Sequence, residues 1–265
     1  MRPGGNTALI TDGASGIGLA LARVLIENGN SVIVCGRDQA RLDAACTVLP
    51  GLTAIRADVA DAASRRSLAD EVTARFPSLN VLVNNAGSLH VSDLTGSSHV
   101  QELEAEVLTN LVAPVALTSL LLPVLRSQPA ATVVNVTTGY VFLPSARTAP
   151  YSATKSALHA ITRSLRFQLR STSVRVVEVM PPAVDTAMAS HYAGSKMTSE
   201  SVAKRIFRGL HRGDDEIVIG ISRLARLLAR IAPDTGFMLM NRAEERSSRR
   251  DLRDGDTGKT ASARR

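Results

Sequence analysis

The chain has 265 residues, 45% of them hydrophobic: enough for one α/β domain with a large core, and too apolar for a disordered protein. Aromatics make up only 3% and Trp is absent, so the interior has to be built from Val, Leu, Ile and Ala, which suits buried parallel strands. The net charge of +7 is not a nucleic-acid signature: residues 242–265 hold eight basic and five acidic side chains and supply +3 of it, and no basic stripe interleaved with aromatics runs through the rest.

Aliphatic and β-branched runs bounded by turn residues predict strands at Ala8–Thr11, Ser31–Cys35, Thr53–Ala57, Val81–Asn84, Thr132–Thr137, Val174–Val179 and Glu216–Ile219. Helical periodicity predicts helices at Ile17–Asn28, Ala40–Leu49, Ala62–Phe76, Val100–Leu125, Ser152–Ser171 and Ser199–His211. Strand–helix alternation of this kind is the pattern of an α/β fold, a Rossmann-type doubly wound parallel sheet of about seven strands with helices on both faces. Residues 1–241 are read as a single domain. Residues 242–265, with Leu252 as their only large apolar side chain, are expected to form a disordered basic tail.

Strand residues begin almost at once, and Asp12 and nearby glycines interrupt the next apolar stretch, so no secretory leader is expected. Val107–Leu125 is uncharged and long enough to cross a bilayer, but its Thr, Asn and Pro residues and its place in the alternation favour a buried helix. Ser222–Ile231 is a basic amphipathic helix that suits packing against the fold or a sister subunit, or else an anionic lipid surface. Cys35 and Cys46 fit small buried hydrophobes. With no disulfide framework and no metal-ligand spacing, a cytoplasmic protein with no bound metal is expected.

The first strand leads into Thr11-Asp12-Gly13-Ala14-Ser15-Gly16-Ile17-Gly18 and then a helix. A glycine-rich strand-to-helix turn lets backbone N–H groups approach a pyrophosphate at a helix N-terminus. After the second strand comes Cys35-Gly36-Arg37-Asp38, where a cation suits the 2′-phosphate of NADP and a carboxylate the ribose hydroxyls of NAD. Arg37, with Arg41 as a second cation, favours NADP(H); Asp38 keeps NAD(H) as the alternative. Further on, Tyr151-Ser-Ala-Thr-Lys155 sets a phenol and an ammonium on one helix face. Thirteen residues before Tyr151, Thr138 closes the fifth strand pattern.

These motifs resemble the short-chain dehydrogenase/reductase family, in its shorter single-domain branch, over about residues 6 to 241. The family's Thr-Gly-x-x-x-Gly-x-Gly turn is matched at Thr11, Gly16 and Gly18, and Asp12 stands where the first glycine belongs. The resemblance implies cofactor contacts from Thr11, Asp12, Ser15, Gly16, Ile17 and Gly18, from Arg37, and from Asp58 and Val59 beside the adenine. It also implies them from Asn85, Ala86 and Gly87 of a full Asn-Asn-Ala-Gly signature, from Tyr151 and Lys155, and from Pro181, Val184 and Thr186. It implies a catalytic set of Asn110, Thr138 in place of the family's serine, Tyr151 and Lys155. Pro181-Pro182-Ala183-Val184-Asp185-Thr186, together with Cys-Gly-Arg after the second strand, resembles the DltE-like subgroup.

The implied activity is hydride transfer between NADP(H) and a carbonyl or secondary alcohol, with Tyr151 as general acid/base. A phenol of ordinary pKa ~10 is a reluctant base, and an ammonium at ~4 Å in an effective dielectric of ~20 is worth roughly 4 kcal/mol before desolvation is subtracted, so Lys155, helped by the oxidised nicotinamide, is expected to bring Tyr151 near its working pH. Asp12 and Thr138 leave a catalytically weak NADP(H)-binding sensor or scaffold as the alternative. A sugar-nucleotide epimerase is disfavoured because no sizeable second domain follows. The partner expected is a small carbonyl or alcohol substrate, with neither nucleic acid nor membrane. The Val107–Leu125 and Ser152–Ser171 helices resemble the family's subunit-pairing elements and imply a homodimer or homotetramer. His191, Tyr192, His90 and His99 are candidates to touch substrate or to face solvent, and His191–Met197 is expected to form a mobile loop over it.

Overall fold

The computed structural model describes residues 1–92, 94–95, 100–190, 192 and 194–246. Seven parallel strands run in the order β3-β2-β1-β4-β5-β6-β7: β1 (Thr7–Thr11), β2 (Ser31–Gly36), β3 (Leu52–Arg56), β4 (Leu79–Asn84), β5 (Ala131–Val136), β6 (Val174–Met180) and β7 (Glu216–Val218). The chain reverses its winding between β1 and β4, which opens a crevice above the carboxyl ends of those strands. The alternation of side chains along each strand feeds two cores. Ile10, Val34, Val83 and Val134 face helices α1 (Gly16–Glu27) and α7 (Ser199–Arg212); Leu9, Ile33, Leu82 and Val133 face α3 (Ala62–Arg75) and α5 (Ala113–Arg126). Asp38 caps α2 (Gln39–Val48), Asp61 caps α3 and Thr198 caps α7, each accepting a bond from a first-turn amide.

Strand and helix ends fall within a few residues of their expected positions. The run expected as one helix over Val100–Leu125 is three pieces: α4 (Val100–Val107), a π-helical turn (Leu108–Val112) and α5. By length and composition this run could cross a membrane. In the fold, Ala113, Leu117, Leu121 and Leu125 are buried against the sheet and α3. Helix α6 (Ala149–Gln168) starts earlier than expected, so Tyr151 sits inside its first turn.

The expected tail is corrected at its start. After α8 (Ser222–Ile231) a further helix covers 233–246, and it places Glu244 in the protein interior, 8% exposed. The rest of the tail lies outside the described residues.

A buried polar row crosses the middle of the sheet. Asn84 Nδ2 donates to Thr118 Oγ1 of α5 (3.1 Å) and to Asn135 Oδ1 (2.8 Å), and Asn135 Nδ2 donates to Thr162 Oγ1 of α6 (2.8 Å). Asn84, Asn135 and Glu178 are in register on β4, β5 and β6. The Glu178 carboxylate accepts from Thr137 Oγ1 (2.7 Å) and meets His159 Nδ1 at 2.8 Å.

Candidate active site

A cleft of about 1070 Å³ runs above the carboxyl ends of β1, β4, β5 and β6. One end is the turn after β1. Gly16 there has φ +50, and a Cβ on it would come within 2.9 Å of Thr186 Cγ2. A Cβ on Gly18 would meet the Asp12 carbonyl oxygen at 2.5 Å. Both glycines therefore allow approaches that any side chain would block. Asp12 has φ 49 and is the only non-glycine at positive φ among the described residues. The left-handed backbone explains why the motif calls for glycine here, and why Asp, which tolerates that region better than most residues, can stand in. Asp12 lies on the lip of the cleft; partial desolvation there pushes its pKa up, and Arg37 and Arg41 pull it back.

Thr11 does not line the cleft but braces it. Its Oγ1 accepts from the amides of Asn85 (3.0 Å) and Ala86 (2.9 Å), and Asn85 Nδ2 donates to the carbonyls of Thr11 and Asp12. The Asn-Asn-Ala-Gly segment is thereby tied to the phosphate turn. Ser15, Ile17, Asp58, Val59, Gly87, Pro181 and Val184 line the same wall. Arg37 also lines it, 76% exposed and 4.0 Å from Asp58 Oδ2. Asp38 does not: its carboxylate accepts the Arg41 amide and pairs with the Arg41 guanidinium.

In the middle of the cleft, Tyr151, Thr138 and Lys155 line one wall, each almost fully buried. The Thr138 hydroxyl caps the turn after β5, accepting from the Tyr140 amide (3.4 Å). Lys155 Nζ donates to the Val136 carbonyl (2.9 Å) and lies 5.8 Å from the Tyr151 ring centre. Asn110, on the π-helical turn, sits behind the wall: its side chain holds both the amide and the carbonyl of Ser88 and donates to Thr154 Oγ1. A Cβ on Gly87 would meet Asn110 Oδ1 at 3.3 Å and Lys155 Nζ at 3.6 Å, so this glycine is where the two side chains converge.

Burial pushes the Tyr151 phenol up, with the Thr138 hydroxyl pulling it partly back, and burial brings the Lys155 ammonium down to about 8. Desolvation is the largest influence on both groups and works against the lowering of Tyr151 expected from Lys155.

Residues 6–196 match the short chain dehydrogenase family. The chain belongs to that family. Membership makes it an NAD(P)-dependent oxidoreductase. This short-chain dehydrogenase is 42% identical over 226 residues to the uncharacterized oxidoreductase DltE of Bacillus subtilis, covering 82% of this chain and 89% of the relative. It is 31% identical to bovine L-fucose dehydrogenase over 195 residues, covering 73% and 72%. Among solved structures, a short chain dehydrogenase of Burkholderia cenocepacia in complex with NADP superposes with a TM-score of 0.80 at 23% identity, covering 88% and 95%. Another from Burkholderia phymatum, in complex with NAD, gives 0.80 at 22%, covering 87% and 94%. At those identities the likeness speaks for the fold.

The residues present fit a dinucleotide. The glycine cradle stands at the N-terminus of α1, where the Ser15 side chain makes no capping bond and, among the described residues, no side chain takes the first amides, and Arg37 lies where the second strand ends.

Other polar groups near the centre escaped the sequence reading. Glu106 is buried one turn before Asn110; one oxygen accepts from the amide of His90 and meets its Nδ1 at 3.1 Å, and the other has no hydrogen-bond partner among the described residues. Its negative charge opposes ionisation of Tyr151 and favours the charged Lys155. Glu178, an acid inside a fully buried apolar strand, was a signal available in Val174-Arg-Val-Val-Glu-Val-Met180. Tyr192 lines the cleft, and Met197 is bridged to Val184, so the expected loop is anchored at its far end. His191 and His99 lie outside the described residues.

Proposed function

We propose that this enzyme transfers a hydride between NADP(H) and a carbonyl or secondary alcohol, with Tyr151 as the proton-transfer residue. The observation that carries this is the convergence of Tyr151, Thr138 and Lys155 on one wall of a cleft whose far end is a glycine cradle. NADPH, when bound, supplies the hydride. The Thr138 hydroxyl donates to the substrate oxygen, and the Tyr151 phenol gives its proton to that oxygen as charge grows there. A phenol held protonated by burial suits the proton-donor role that carbonyl reduction requires. Lys155 sets the positive potential beside the phenol, and Asn110 fixes the π-helical turn against Ser88 and α6.

NADP(H) rather than NAD(H) is supported by Arg37 and Arg41 lining the cleft while Asp38 is engaged in capping α2. The apolar side chains left exposed on α4, the π-helical turn and α6, among them Leu103, Leu108, Val112 and Phe167, support a homodimer or homotetramer formed through those helices.

Asp12 favours a second reading. A carboxyl on the lip of the phosphate turn weakens cofactor binding, and the protein is then a slow NADP(H) sensor. Purified enzyme is mixed with NADPH and a panel of ketones and aldehydes while the nicotinamide absorbance is followed. Oxidation with any of them supports the reductase; NADPH binding with no turnover across the panel overturns it in favour of the sensor.

A further inference from the structure

Beyond Tyr151 the cleft changes character. Its wall there comes from α8 and helix 233–246, through Ile221, Leu224, Leu228, Leu239 and Met240, with Leu143 opposite. Ile221, Leu224 and Leu239 are each more than half exposed, at 70%, 52% and 57%. Large aliphatic side chains lining a cavity and facing water are the mark of a surface completed by an apolar ligand. The groove is a built one. A Cβ on Gly236 would stand 3.1 Å from Leu143 Cδ2 and 3.3 Å from Leu228 Cβ, so helix 233–246 packs closely against both.

The same helix brings in Glu244. Both its carboxylate oxygens accept hydroxyl bonds, from Tyr140 (2.7 Å) and Ser145 (2.6 Å), and the Tyr140 ring meets the Tyr151 ring edge-on at 6.4 Å. The helix is thus fastened beside the reacting centre by hydrogen bonds to Glu244. The cations lining the cleft are Arg23, Arg37 and Arg41 at the cofactor end, and Lys155; among the described residues no cation lines the α8 end, where the lining is largely aliphatic.

We propose that the substrate half of the cleft takes a neutral carbonyl compound with an extended apolar chain, laid between α8 and helix 233–246, and discriminates against anionic substituents. This inference rests on the redox reading for its carbonyl. The groove itself can be tested without turnover.

The test uses the full chain saturated with NADPH and straight-chain methyl ketones from butanone to decanone, each compared with its ω-carboxylated counterpart. Efficiency, kcat/KM, is expected to rise roughly three- to fourfold per added methylene until the groove is filled. Each ω-carboxylate should fall at least about tenfold below the neutral ketone of equal length. Leu224→Asn should flatten the chain-length slope. Leu227→Asn, on an exposed side chain of α8 that does not line the cleft, should leave it unchanged. Leu239→Lys, which puts a cation at the α8 end, should recover the ω-carboxylates. In parallel, decanone and its ω-carboxylate are titrated by calorimetry. Tight binding of decanone alone supports the groove even where NADPH is not consumed, an outcome that sinks the redox reading instead. Butanone reduced as efficiently as decanone, or no calorimetric preference between the two decanones, overturns the inference.

Discussion

At the cofactor end the cleft is walled by strand termini and backbone: Gly16, Gly18 and the Thr11 clamp on Asn85 and Ala86 set positions that side chains could only obstruct. At the substrate end the walls are faces of two helices, and the contacts that fix them, Gly236 against Leu143 and Glu244 on Tyr140, join residues about a hundred positions apart. The first kind of wall is written in short motifs; the second arises only when distant segments pack. The rigid end should therefore respond to substitution through cofactor affinity alone, and the seam between the two ends through turnover.

The sharpest way to break this contrast lies at the seam. Tyr151→Phe should lower turnover on the order of 10³-fold while NADPH affinity, measured by nucleotide fluorescence, holds. A drop in affinity of equal size would put Tyr151 on the cofactor side instead. Thr138→Ala should cost on the order of 10²-fold in kcat, the scale of losing one hydroxyl donor to a developing oxyanion, and wild-type rates would remove Thr138 from the chemistry.

Lys155 offers a test by pH. Its folded pKa of about 8 lies below the ordinary 10.5, so between those values the unfolded chain holds more protons than the native one. Stability carried by this group therefore rises with pH across that window, and is flat below it. The gain approaches about 3 kcal/mol by the upper end. Unfolding midpoints of wild type and Lys155→Met, compared across the window, should draw apart in that direction; parallel curves would refute it.

At the cofactor end, Arg37→Asp should shift the NADPH:NADH efficiency ratio by roughly 10- to 100-fold toward NADH, the worth of a charge-assisted contact, with the carbonyl preference unchanged. The smallest effect is expected of Asp12→Gly, which relieves a left-handed aspartate and removes a carboxyl from the phosphate turn. NADPH should bind severalfold tighter in a direct titration, and equal dissociation constants would clear Asp12 of any role.

How much could be read in advance follows the same division. The seven-stranded parallel sheet and most of the residues that line the glycine end of the cleft were legible because period-two apolar runs and glycine turns are local signals. Tyr151, Thr138 and Lys155 were placed by motif. Their electrostatics were not, since burial, which dominates both pKa values, has no sequence signature at these positions. The π-helical turn at Leu108–Val112 hid inside a continuous helical pattern. Glu244 was assigned to a tail because Arg242–Arg246 reads as polar; Tyr140 and Ser145, about a hundred positions earlier, hold it in the interior. His90 was singled out, but its pairing with Glu106 was not, the two being sixteen positions apart.

The row of Asn84, Asn135 and Glu178 bears on how the chain finds this structure. A sheet made of Val, Ile and Leu alone tolerates sliding, because one aliphatic residue replaces another. Here a one-residue slip of β5 against β4 or β6 would rotate Asn135 into the opposite apolar layer and strand the amide and hydroxyl groups of Asn84 and Thr162. Each stranded group costs about 1–3 kcal/mol, so misaligned sheets are rejected before any ligand is present. Because Thr162 and Lys155 ride on one helix, the same rejection sets how far the ammonium reaches along the strand ends.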